Sequence, residues 1–131
     1  MKILLLILLL SSALSKKVPS EVFDVWSKIT DPYLLTCAES ANASLEQIRN
    51  MLKHVHVPNN PQFHDFIKCI YEHLQMLRPD GSFSEDVILT KATYMTRELT
   101  QKCIEKSNSE NNLSKKSYIL CDCIVDGLAV E

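Results

Sequence analysis

Residues 69–73 read Cys69-Ile70-Tyr71-Glu72-His73. In a helix, Cys69 and His73 fall one turn apart on the same side. The pair is open to three readings: two metal ligands, half of a pH switch, or a structural feature of the scaffold. A structural zinc site needs four well-placed donors, usually arranged as repeated short pairs. Here Cys121-Asp122-Cys123 would have to supply the remainder. Two thiols two residues apart diverge by about 200° around a helix, so they do not converge on one ion. A metal reading is therefore set aside, and no cofactor is expected.

The helical period extends almost everywhere on both sides of this stretch. Pro61 opens a strong amphipathic segment with Phe63, Phe66, Ile67, Ile70, Leu74 and Leu77 on one face. On its N-terminal side, Val22, Val25, Trp26 and Ile29 form a stripe after Pro19. That stripe is expected to break at Asp31-Pro32, with Asp31 as N-cap and Pro32 at the first position of a new helix. Ser44 and Gln47 form a capping-box pattern ahead of Leu45, Ile48 and Leu52. On the C-terminal side, Arg78-Pro79-Asp80-Gly81-Ser82 is a turn by composition. Ser84 caps a segment with Val87 and Ile88, and a further helix is expected from about Thr93 to Lys106. A polar stretch at 107–112 precedes a last helix carrying Tyr118, Ile119, Leu120, Cys123 and Ile124. With only Gly81 and Gly127 as glycines, hairpin-rich folds are disfavoured. The expectation is an all-α, compact bundle of about six short helices in one domain, without repeats.

The first residues have the layout of a secretory signal peptide: Lys2, eight apolar residues, then small residues including Ala13 and Ser15. The run is too short for a membrane span. Residues 1–15 are thus expected to be a leader and 16–131 the mature domain, secreted and extracellular, with no membrane insertion. In an oxidising compartment the five cysteines are expected to act mainly as disulfide partners, with an odd one left over. Fourteen basic and sixteen acidic residues are mixed along the chain, which argues against a nucleic-acid partner. Asn42-Ala43-Ser44 and Asn112-Leu113-Ser114 fit the glycosylation sequon, making Asn42 and Asn112 candidate sites.

Enzyme motifs are missing. His64-Asp65 lacks the glycine- and cysteine-rich calcium loop of a secreted phospholipase, and there is no Gly-x-Ser-x-Gly elbow, phosphate loop or His-Glu-x-x-His helix. A non-enzymatic role is expected, without catalytic residues.

The cysteine spacing carries the argument further. Thirty-one residues separate Cys37 from Cys69, three separate Cys69 from position 73, and eight separate position 114 from Cys123. This resembles the six-cysteine signature of the insect odorant-binding protein family, with its pheromone- and general-odorant-binding relatives. Cys37, Cys69, Cys103 and Cys123 stand in the first, second, fourth and sixth places, while His73 and Ser114 occupy the third and fifth. The resemblance implies six helices around an apolar cavity, with disulfides joining first to third, second to fifth and fourth to sixth. Carried over, it implies a Cys103–Cys123 link and leaves Cys37 and Cys69 without their usual partners. Cys69 and position 73 lie on consecutive turns, so Cys37 can be expected to reach back to Cys69; Cys69–Cys121 is the competing pairing. Cys121 matches no family position and is the candidate free thiol.

The implied function is carriage of small hydrophobic molecules such as odorants, pheromones or related semiochemicals. The candidate cavity residues are Met51, Leu52, Leu74, Leu77, Phe83, Ile88, Tyr94, Met95, Tyr118 and Leu128, with methionine for adaptable shape and tyrosine for a hydroxyl. An odorant receptor or a second copy of the chain are the implied protein partners. The alternative is a secreted venom, salivary or immune interaction protein on the same scaffold. His54, His56, His64 and His73 are candidates for pH-dependent release.

Overall fold

The computed structural model describes residues 16–131, so the expected leader lies outside the described residues. Six helices follow: α1 Ser20–Ala41, α2 Leu45–Asn50, α3 Pro61–His73, α4 Glu85–Lys91, α5 Arg97–Ser107 and α6 Leu113–Leu128. The start signals are chemical. Ser44, Asn60, Ser84, Thr96 and Asn112 each accept a hydrogen bond from the backbone N–H three residues on, and Pro61 opens α3. The cap at Thr96 corrects the expected start of α5 near Thr93. Residues 93–96 instead form a turn, and the Thr96 hydroxyl accepts from the Leu99 N–H at 3.1 Å.

The expected break at Asp31-Pro32 does not occur, and α1 runs through Pro32. An interior proline removes one backbone bond and disfavours the helix by ~3 kcal/mol in isolation. Lys28, Asp31 and Pro32 all face solvent, so the Lys28 carbonyl that loses its donor is open to water. Tertiary contacts hold both halves: Val22 is buried on one side of the break, and Cys37 and Ala38 on the other. The helix ends at Asn42, whose left-handed backbone (φ 53°) returns its N–H to the carbonyls of Ala38 and Glu39.

α3 is the central element and packs mainly against α6 and α1. Its apolar face puts Phe63, Phe66, Ile67 and Ile70 fully inside. Between α3 and α4 the chain folds back on itself. Leu77 and Phe83 pair as an antiparallel bridge, and the tip requires Gly81 at φ 88°. Two disulfides staple the bundle. Cys37–Cys69 joins α1 to α3, with Cα atoms 5.6 Å apart, and Cys103–Cys123 joins α5 to α6, at 5.5 Å. The loops they close, 32 and 20 residues long, correspond to roughly 3–4 kcal/mol each in the chain-entropy account. The two ends of the described chain meet, with reciprocal backbone bonds between Lys17 and Val130 (2.7 and 2.8 Å).

Candidate functional site: an apolar cavity in the bundle

Elements from all along the chain converge on one internal hollow. Val22 and Trp26 of α1 and Met51 and Leu52 just after α2 line it, as do Tyr71 of α3 and Met76 after it. Ile88 and Ala92 approach from α4 and its end, and Tyr94 and Met95 from the turn before α5. From α6 come Leu120, Cys121, Ile124, Val125 and Leu128, which recur at the three- and four-residue spacings of one helical face. The free volume is about 30 Å³, close to that of a single water molecule.

Six residues expected at a cavity are there: Met51, Leu52, Ile88, Tyr94, Met95 and Leu128. Four are elsewhere. Leu74 is buried in the core, its carbonyl accepting from Lys91 Nζ at 2.7 Å. Leu77 and Phe83 form the bridge beside it, with Phe83 edge-on to Tyr71 (centroids 5.8 Å) and under Lys116 Nζ (5.6 Å). Tyr118 lies against His64, with centroids 4.6 Å apart. Periodicity marks these four as inward-facing but cannot say which inward surface touches a void. Tyr71 carries no such signal in the sequence, because a tyrosine one step off the Ile70–Leu74 stripe has the pattern of a boundary residue. Nor does the sequence mark Cys121 as a wall residue, since a cysteine signals pairing rather than position.

No charged side chain lines the hollow. Its titratable groups are the hydroxyls of Tyr71 and Tyr94 and the thiol of Cys121, and all three keep their protons, while the Trp26 indole adds a further polar group to the wall. Burial pushes the Cys121 thiol up to about 12, partly offset by a hydrogen bond from Tyr71. Burial likewise raises Tyr71 well above the ordinary phenol value, reinforced by the neighbouring Cys121 and Tyr94, and raises Tyr94 in the same sense. Cys121 is unpaired and buried, and its Sγ lies 3.8 Å from Met51 Sδ as a weak donor. Such a chamber is neutral and weakly polarised, and an ionic guest would lose its hydration without gaining a counter-charge.

None of the four histidines touches the hollow. His54 and His56 are exposed on the segment after α2. His64 bonds Asn59 Oδ1 at 2.9 Å, and His73 stacks on Tyr33 with centroids 4.8 Å apart. Asn42 and Asn112 are exposed, one ending α1 and the other capping α6.

No curated protein and no solved structure matches the chain. The PBP/GOBP family model matches residues 26–126, a span that contains α2 to α5 whole, α1 without its first turns and α6 without its last two residues. That span also holds both disulfides and most of the cavity wall. With a match over residues 26–126 of its 131, the chain belongs to the PBP/GOBP family, the insect odorant-binding family.

Proposed function

We propose that residues 16–131 form a secreted carrier that takes a small, uncharged, largely apolar ligand into the internal hollow, after removal of residues 1–15 as a leader. The observation that carries this reading is the chamber wall: apolar side chains from α1, α3, α4 and α6, no charge, and three protonated polar groups. A ligand with one carbonyl or hydroxyl can meet Tyr71, Tyr94 or Cys121 while its hydrocarbon part displaces water. Burying ten methylenes at ~0.8 kcal/mol each gives ~8 kcal/mol before ordering costs, which sets a micromolar ceiling suited to reversible carriage. Asn42 and Asn112, both exposed, are proposed glycan acceptors on the same secreted form.

The test is displacement of a neutral naphthylamine fluorophore by a panel of medium-chain alcohols, aldehydes, esters and acids. Micromolar displacement by the neutral compounds and little by the carboxylates is expected. No probe binding at all would overturn the carrier reading in favour of an interaction protein on this scaffold.

A further inference from the structure

Around His73, away from the cavity, donor atoms of three residues converge. Cys37 Sγ, Cys69 Sγ and a His73 ring nitrogen all lie within 4.8 Å of one another, and this is the one such group of potential ligands among the described residues. Cys69 and His73 come from consecutive turns of α3, and Cys37 faces them from α1. The imidazole is oriented by its near-parallel stack on Tyr33 (interplanar angle 14°). In the oxidised protein both sulfurs are consumed by the disulfide. We propose that reduction of Cys37–Cys69 converts this cross-link into a three-ligand Cys₂His site for a thiophilic divalent ion such as zinc, tying the same two helices together.

The chemistry balances. A dithiol reductant supplies two electrons and two protons, becoming a disulfide as the Cys37–Cys69 bond opens to two thiols. The divalent ion then displaces those two protons, and two thiolates plus a neutral imidazole complete three positions. The thiolates cancel the ion's charge, so no net charge enters the half-buried site. Zinc–sulfur and zinc–nitrogen bonds of about 2.0–2.3 Å need donors roughly 3.5–4 Å apart, a small adjustment from the observed cluster. A surface hollow bordered by Cys69, Glu72 and His73 adjoins the cluster, where water or the Glu72 carboxylate would complete the fourth position. Access also favours this bond over the other: Cys69 is half-buried, whereas Cys103 and Cys123 are both buried.

The experiment uses residues 16–131, oxidised or reduced with a phosphine, titrated with cobalt(II) and then zinc. The reduced protein is expected to bind one cobalt, with a thiolate-to-cobalt charge-transfer band that zinc abolishes. The oxidised protein is expected to show no such band. His73→Gln leaves the disulfide intact for folding and is expected to weaken binding in the reduced form at least tenfold, while Cys121→Ser leaves it unchanged. Absence of a stoichiometric band in the reduced protein would overturn the proposal. So would equal affinity in His73→Gln, or loss of the site in Cys121→Ser. Probe binding in the cavity is independent of all these outcomes.

Discussion

Cys121 has no partner, yet it is among the best protected side chains in the bundle. It sits in the chamber wall between Met51 and Tyr71, and burial keeps its proton in place. Because the thiolate is the reactive form, this residue is chemically quiet. In the folded, non-reduced protein, iodoacetamide at pH 8 is expected to leave Cys121 unlabelled over hours, and denaturant should make it react fully; rapid native labelling would contradict the buried placement. The same three groups fix the sign of an alkaline effect. Tyr71, Tyr94 and Cys121 titrate higher in the folded chain than at their ordinary values of 10.0, 10.0 and 9.0. Above about pH 9 the unfolded chain therefore loses protons that the folded one keeps, and stability falls as pH rises. A denaturant midpoint that drops between pH 8 and 10.5, and drops less in Tyr94→Phe, is the expected result. A flat profile would show that these groups are solvated.

Between elements, the cross-linking is displaced by one helical turn. The family arrangement would join position 37 to 73 and position 69 to 114. Here Cys37 bonds Cys69, and His73 stacks on Tyr33, four residues before Cys37. Ser114 Oγ in turn donates to Asp65 Oδ1 at 2.6 Å, and Asp65 lies four residues before Cys69. Residues one turn earlier on α1 and α3 thus meet the side chains that stand where cysteines would be. The α3–α6 contact, lacking a covalent link, keeps this hydrogen bond at its edge and a Lys116 Nζ–Gly81 carbonyl bond (2.7 Å) nearby. Ser114→Ala is expected to destabilise the fold by about 1 kcal/mol, and Asp65→Ala/Ser114→Ala by no more than the larger single change, because the pair acts together. Additive losses in chemical denaturation would show that the two do not interact. Part of this was legible in the sequence, since its resemblance to the six-cysteine signature located the vacant third and fifth places. The Tyr33 and Asp65 contacts were not, because they depend on how α1 and α6 rotate against α3. Nor was the continuity of α1 legible: Pro32 is a breaker by local rules, and only packing on both sides of it overrides them.

At the scale of the whole molecule, the chamber is real but nearly closed. Its free volume is about 30 Å³, whereas sites for drug-sized ligands run to about 300–1,000 Å³. The proposed binding of a ligand of that size therefore requires the wall to move. The sequence showed that apolar residues from many helices could meet, but not how little space is left between them, since void volume depends on rotamers rather than pattern. No histidine lines the chamber, so probe affinity is expected to be equal at pH 5 and pH 7; a large loss at pH 5 would require a titrating group outside it to control entry. Met51, Met76 and Met95 are the side chains best able to yield, being unbranched and adaptable. If opening precedes entry, the observed association rate should level off at high probe concentration instead of rising linearly. Met51→Ala should then separate stability from affinity. Truncation removes buried contacts and is expected to destabilise the empty protein by about 2–5 kcal/mol. It also provides in advance part of the room that the ligand must otherwise create, so probe binding should tighten and the rate plateau should rise. Weakened binding with an unchanged, strictly linear rate would mean that the ligand occupies a different surface.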